Sequence, residues 1–387
     1  MMSVYLDYNA SAPVDPQVLD VMIDVYRNHF GNADSRTHGF GEDARNIVET
    51  ARKQVASLLG VTPAEVFFTS GATESNNIAL QGLRAYAETA KKKKIVTSAI
   101  EHKAILETVS ELQKEGFKAA FVKPDATGRV PVQKILNEVT EHTLAVSLMH
   151  VNNETGIIQP VEQLGNELEK RKVLFHVDAT QSCGKLVEEI KKMKYDMLSF
   201  SAHKLGGPQG IGVLVLRKKN YKLPPVKAIM YGGPQEHGIR PGTVPVALVA
   251  GCGKACEIAE LEYIHRAEKL KFVKDLVLQM LGESGLDFTI NGDQNYCMNN
   301  TLNVCLHGVS SEALMILTKQ YCGISNGSAC TSKSYSPSYV LLAMGVPVEQ
   351  IENSVRISWG ADTDPDLLKA EFSKMLSMAK KLDSEGT

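Results

Sequence analysis

The 387-residue chain lacks the features that would direct it to a membrane, to nucleic acid or out of the cell. No apolar run approaches the ~18 residues needed to span a bilayer. Neither sign of charge is in excess: 42 Lys and Arg stand against 44 Asp and Glu, a formal net charge of −2. Such a surface has no general attraction for nucleic acid or anionic lipid. The opening "MMSVYLDYNASAP" lacks the basic-then-apolar order of a signal peptide. Internal repeats and long low-complexity segments are missing too. There is no CxxC pair, and the seven cysteines (at 183, 252, 256, 297, 305, 322 and 330) are odd in number and irregularly spaced. That pattern argues against a disulfide framework and against a zinc site, and no metal is expected. The expected setting is a reducing cytoplasm, with most thiols acting as small buried apolar groups.

What is present is an ordinary globular composition, 43% hydrophobic and 22% charged, on a chain long enough for two structural domains. Apolar runs of strand length alternate with amphipathic stretches. "EVFFTSG" is followed by "ATESNNIALQGLRAYAET", and "KKIVTSAI" by "EHKAILETVSELQKEG". "LAVSLMHV", "VLFHVDAT", "YDMLSFSAH" and "GIGVLVLRK" follow. The alternation predicts an α/β fold with a mostly parallel sheet and helices on both faces. Ligand-binding groups of such sheets collect at the C-terminal ends of the strands. A helical pattern over roughly 245–282 leads into a smaller α+β region containing "TLNVCLHG" and "SVRISWG". The expected boundaries are 15–255 for a large cofactor-binding domain and 1–14 with 256–387 for a small one. The small domain would include the linking helix and the loop 323–335. The charges of "AELEYIHRAEKLKFVKD" read as a solvated helix face, and "KKKK" at 91–94 as a solvated loop.

Four stretches carry chemistry. In "SFSAHKLGGPQGIGVLVL", Lys204 leaves an apolar strand behind Ser201 and His203, and the following glycines let backbone approach a ligand closely. A lysine desolvated in such a place can lose its proton and form a Schiff base. In "FHVDATQS", Asp178 ends an apolar strand. A buried carboxylate needs a partner, and a protonated pyridine nitrogen is one; the plain alternative is a helix N-cap. Gln181, one helical turn on, could reach the phenolic oxygen of the same ring. In "FFTSGATESNN", a strand gives way to Ser-Gly-Ala-Thr and a helix, which suits a phosphate at backbone N–H groups and the Thr73 hydroxyl, or simple N-capping. In "SAIEHKA", His102 lies just past a strand end, where it is either structural or stacks on a ring and shuttles protons. A fifth stretch, "GISNGSACTS", sets Cys330 among small polar residues that favour turns and exposed backbone, with no histidine within several residues.

With these stretches in their order, together with "YLDYNASAPVDP", "GNADSRTHGFG", "HVNNETGIIQP", "IRPGT" and "PSYVLLAMG", the chain resembles the NifS/IscS-type cysteine desulfurases. These are pyridoxal 5'-phosphate (PLP) enzymes of the class V aminotransferase superfamily, and the resemblance runs nearly end to end. It implies the PLP-dependent transferase type I fold. It implies that Lys204 holds PLP covalently, Asp178 pairs with the ring nitrogen, Gln181 contacts the phenolic oxygen and His102 stacks on the ring. Thr73, Ser201, His203 and the Ala72 backbone would hold the phosphate. Thr243 of "IRPGT" would reach the phosphate of a neighbouring subunit, giving a homodimer with shared active sites. Asn153 and Arg356 would bind the substrate and its carboxylate, for which the planar guanidinium is well shaped.

The implied reaction removes sulfur from L-cysteine, leaving L-alanine and a persulfide on Cys330 for transfer to an acceptor protein. A selenocysteine lyase or another class V aminotransferase-type enzyme is the nearest rival, and neither requires a loop thiol. The sequence stops at "MAKKLDSEGT", soon after the last expected helix and short of the longer tail with which housekeeping members engage an iron–sulfur scaffold. "GNADSRTHGFG" departs from their usual Asn-Pro-Ser-Ser-type motif and looks more like the DndA type, which supplies sulfur for DNA phosphorothioate modification. Iron–sulfur cluster assembly and tRNA thiolation stand beside it as destinations, with any nucleic acid handled by a partner protein.

Overall fold

The computed structural model describes residues 3–326 and 337–385. Runs such as "VFFT", "LFHVD" and "GVLVL" are β-branched and aromatic over strand length, without polar alternation, as a sheet covered on both faces requires. In chain order the strands are β1 Val4–Tyr5, β2 Val66–Thr69, β3 Lys94–Ser98, β4 Lys118–Val122, β5 Thr143–Met149, β6 Leu174–Asp178, β7 Met197–Ser201, β8 Gly212–Leu216, β9 Phe288–Ile290, β10 Thr301–Leu306, β11 Cys322–Gly323 and β12 Ser354–Ser358. Seven of them form one sheet in the order β2-β8-β7-β6-β5-β3-β4. β8 runs antiparallel to both neighbours and every other pair is parallel, which is the mostly parallel sheet expected from the alternation.

Successive residues of each strand serve opposite cores, as a period of two demands. Phe68, Val96, Val146, Phe175, Leu198 and Val213 pack on one side with the helices Gly39–Leu59 and Val161–Arg171. Phe67, Ile95, Ala145, Met197 and Leu214 pack on the other with Ala72–Gln81, Arg84–Ala90 and Lys103–Lys114. The 38-residue helix Val246–Glu283 then joins two cores. Val249, Cys252 and Cys256 belong to the first, while Leu270, Val273 and Val277 belong to a separate one. That separate core lies between the antiparallel sheet β12-β10-β9 and the helix Pro365–Glu385. The N-terminal segment joins this smaller unit, since β1 pairs in parallel with β11 and Asp7 bridges to Ser358. Among the described residues, six cysteines are free and buried, and no helix is long and apolar enough to cross a membrane.

β2, β3, β5, β6 and β7 all point the same way, so the loops that leave them share one rim of the sheet. The first four stretches singled out from the sequence follow β2, β3, β6 and β7, and "HVNNETG" with Asn153 follows β5.

Candidate active site

A cavity of about 580 Å³ opens at that rim. It brings together Ala72, Thr73, His102, Asn153, Asp178, Gln181, Ser201, His203, Lys204 and Arg356. Thr243 is exposed and does not line it, and Cys330 lies outside the described residues.

After β7 the chain makes a single 3-10 turn, Ala202–Lys204, and Lys204 Nζ donates to the carbonyls of Asn9 and Ala10, each at 2.6 Å. Two of the glycines that follow serve backbone packing more than ligand access. A Cβ on Gly212 would stand 2.5 Å from Gly71 Cα and 2.8 Å from the Phe200 carbonyl oxygen. One on Gly207 would stand 2.8 Å from Ala202 Cβ. These close approaches set β8 against the loop that opens the helix Ala72–Gln81, and so fix Lys204 relative to that loop.

Asp178 is 4% exposed and both its oxygens are occupied. Oδ2 accepts from Asn76 Nδ2 at 2.8 Å; Oδ1 accepts from the Thr180 N–H at 3.0 Å and the Thr180 hydroxyl at 2.5 Å. The bonds from Thr180 close a turn and cap no helix, since the next helix is Val187–Lys192; the N-cap alternative therefore does not hold, and the carboxylate is buried at a strand end. Gln181 Nε2 donates to the Asn9 carbonyl at 3.0 Å. Below Asp178 on the same face, His176 lies between Ser147 and Ser199 at 2.9 and 3.0 Å, and burial pushes it down to about 4. A neutral imidazole satisfied at both nitrogens adds no charge beneath the site.

His102 N-caps the helix Lys103–Lys114, its Nδ1 accepting the Ala104 N–H at 3.1 Å. Burial holds its pKa below the ordinary histidine value; Asp178 opposes that, and Lys204 and Lys103 add to it. The neutral ring therefore carries its proton on Nε2. Next to it, Glu101 is fully buried and pushed up to about 8, chiefly by burial. Its Oε1 accepts from Ser98 Oγ at 2.6 Å and the Met149 N–H at 3.0 Å. At neutral pH it is mostly an uncharged acid and adds little negative charge to the site.

The start of the helix Ala72–Gln81 forms a cradle of donors. Ser201 Oγ accepts the Ala72 N–H at 3.0 Å, and Thr73 is exposed to the cavity. His203 is pushed down to about 4 by burial, with Lys204 and Lys185 adding to it, and is neutral. Glu74 does not repel an anion here. Burial works against its charge, but bonds from Ser70 and Arg240 hold it below the usual carboxylate range, and its oxygens are taken at 2.5 and 3.1 Å. A helix N-terminus lined by hydroxyls with its acid already paired suits a phosphate.

Arg356 on β12 is 3% exposed. Its Nη2 donates to Asp7 Oδ1 at 2.7 Å and its Nη1 to the Asn153 carbonyl at 3.0 Å. Its Nε and the Asn153 Oδ1 are buried without a hydrogen-bond partner among the described residues.

Sequence reasoning missed Asp7, Asn9, Asn76 and Glu101 as members of the site. Asn9 matters most: its carbonyl holds Lys204 and Gln181, and its Nδ2 reaches the Asn153 carbonyl at 3.2 Å and Thr301 Oγ1 at 2.9 Å. The one available signal was their place inside quoted motifs, "YLDYNASAP", "GATESNN" and "EHKA".

A strand-end lysine, a buried carboxylate on the neighbouring strand and a donor-lined helix start together define the site of a pyridoxal-phosphate enzyme. The aminotransferase class-V family model matches residues 4–369, and the chain belongs to that family, among its cysteine desulfurases. It is 40% identical over 393 residues to the cysteine desulfurase IscS of Vibrio vulnificus, covering 98% of this chain and 94% of that one. Among solved structures, DndA from Streptomyces lividans is 40% identical with a TM-score of 0.80, covering 91% of this chain and 98% of that one. A structure described as SspA in complex with cysteine is 34% identical with a TM-score of 0.82, covering 93% and 99%. Enzymes of this family depend on PLP. The residues present fit that cofactor: an amine, a buried carboxylate, and a helix start beside the Thr73 and Ser201 hydroxyls.

Proposed function

We propose that the chain removes sulfur from L-cysteine and loads it on Cys330 as a persulfide, releasing L-alanine. The convergence of Lys204, Asp178 and His102 on one cavity carries this reading. Lys204 is the residue that would hold PLP, with Asp178 at the ring nitrogen, Gln181 at the phenolic oxygen and His102 on the ring face. Thr73, Ser201, His203 and the Ala72 backbone would take the phosphate. Bound there, PLP supplies an electron sink for negative charge at the substrate α-carbon. With its Nδ1 tied to the Ala104 N–H, the His102 ring presents a donor to the site and no free base, so removal of the α-proton falls to Lys204 Nζ. Arg356 and Asn153 receive the substrate carboxylate. In the transfer step the substrate Cβ–Sγ bond breaks and a new S–S bond forms to the Cys330 thiolate. The electron pair of the broken bond stays with the carbon skeleton, which takes up one proton at Cβ and regains one at Cα to give alanine.

The chain works as a homodimer in which Thr243 reaches the partner's phosphate site. What supports this is the anchoring of its segment: Glu236 to Arg52 and Arg240 to Glu74, with Thr243 itself left exposed. Residues 15–255 are the cofactor-binding domain, and 1–14 with 256–387 the smaller one; two separate cores support two units, the first core also taking in Cys256, Ile258 and Ala259 of the long helix and Val340, Leu341 and Met344. The setting is a reducing cytoplasm, in keeping with six free buried thiols among the described residues. The acceptor is a protein of DNA phosphorothioation, iron–sulfur assembly or tRNA thiolation; the "GNADSRTHGFG" stretch supports the first, while identity to DndA and to IscS is 40% in each case. A net charge of −2 leaves any contact with nucleic acid to that partner. PLP-loaded protein given L-cysteine should form alanine, and Lys204→Ala should form none; alanine from Lys204→Ala at the wild-type rate refutes the reading.

A further inference from the structure

A second cavity, of about 380 Å³, lies behind Lys204, between the segment 12–16, the long helix Val246–Glu283 and the smaller unit. Its walls are largely apolar, with Leu186, Leu270, Met298 and Trp359 among them. Four cations line it, alongside the carboxylates of Asp15, Glu262 and Asp362. Lys204 belongs to the active site and Lys269 is exposed; the other two differ in how they are compensated. Arg266 is already paired, with Glu262 at 2.9 Å and Asp15 at 3.3 Å. Lys185 is different: its Nζ donates only to backbone carbonyls, those of Gln181 at 3.1 Å and Lys204 at 3.0 Å. Among the described residues no carboxylate pairs with it. An ammonium carries three donors, so one is left for an occupant. Burial pushes Lys185 down to about 8, Arg266 adding to this, so that it is still mostly charged at neutral pH.

A buried charge without a counter-charge is costly, and an anion that supplies one in a low-dielectric place binds strongly. We propose that this cavity is a second small-molecule site, separate from the desulfuration site, which takes an amphipathic monocarboxylate with its carboxylate on Lys185 and its apolar body against Leu186, Leu270 and Trp359. The two sites share a wall. The Lys204 carbonyl that accepts from Lys185 belongs to the residue whose Nζ is held by Asn9 and Ala10 on the other side.

Octanoate is a suitable probe, titrated calorimetrically into the PLP-loaded protein. Trp359 is the sole tryptophan of the chain, so its fluorescence reports binding at this wall directly. Octanoate should saturate one site per chain and change the Trp359 emission. Octanol, with the same tail and no charge, should bind at least about tenfold more weakly, the factor that corresponds to one charge-assisted hydrogen bond. Lys185→Met should weaken octanoate by a similar factor. Ala267→Phe, at an exposed position lining the same cavity, should block binding while leaving basal desulfuration unchanged. No octanoate binding, equal binding of octanol, or full binding to Ala267→Phe would each overturn the proposal.

Discussion

Arg52→Met tests how the segment carrying Thr243 is held. Arg52 and Glu236 are 6% and 7% exposed, and the guanidinium donates to the two carboxylate oxygens at 2.9 and 2.7 Å. Oε2 of Glu236 also accepts the Phe68 N–H at 2.7 Å, which ties the segment to the edge strand β2. Glu236 and His237 both hold left-handed backbone, with φ of 46° and 53°. Residues other than glycine keep that conformation only where their surroundings impose it. Methionine at position 52 would leave a buried carboxylate facing a single N–H, and breaking a buried pair in this way costs ~3–5 kcal/mol. Adding Glu236→Gln removes the stranded charge while its amide oxygen still accepts from Phe68, so the double variant should recover a good part of the loss. Urea unfolding midpoints measure both effects. Cofactor retention, followed by the absorbance of the lysine–PLP linkage near ~420 nm, reports whether the Thr243 segment has moved. A single variant within ~1 kcal/mol of wild type, or a double variant no more stable than the single, would refute the reasoning.

Three further outcomes follow from the site. Gly212→Ala forces a Cβ to within 2.5 Å of Gly71 Cα, and overpacking of this kind costs ~1–3 kcal/mol; the variant should fold less stably and retain less PLP on gel filtration, and undiminished retention would count against the packing account. Asn76→Ala removes the bond to Asp178, worth ~1.5–3 kcal/mol for a charged acceptor; PLP affinity measured by spectral titration should fall about tenfold or more, whereas unchanged affinity would show Asn76 to be dispensable. For Glu101, the folded value of about 8 lies above the ordinary 4.5, so across that window the folded chain keeps a proton that the unfolded chain releases. Stability from this group is full below the lower value and lost as pH rises through the upper one. Glu101→Gln should therefore gain on wild type in urea midpoint as pH rises from about 5 to about 8, and a pH-independent difference would contradict the assignment.

Much of the fold could be read from the sequence because its signals are local. The apolar runs ending at Thr69, Asp178 and Ser201 mark strands, and the residues that follow them, Thr73, Gln181 and Lys204, had to fall on one rim once those strands were parallel. Long-range partners carry no such mark. Asn76 meets Asp178 across 102 positions, Arg52 meets Glu236 across 184, and the Asn9 carbonyl meets Lys204 across 195. Each pairing depends on how helices and the N-terminal segment dock, which periodicity does not encode. Gly212 shows the same limit: its glycine could be seen, but the backbone that requires it, at Gly71, lies on another strand's loop. The tautomer of His102 likewise depends on a capping bond to Ala104, visible only once the helix start is placed.

The central claim, that sulfur passes through Cys330, is tested most directly by intact-protein and peptide mass spectrometry after a single exposure of the PLP-loaded protein to L-cysteine. One added sulfur on the peptide containing Cys330, released by reductant and absent from Cys330→Ala, is the expected result. Sulfur retained on a different cysteine, or alanine formed by Cys330→Ala at the wild-type rate, would contradict it.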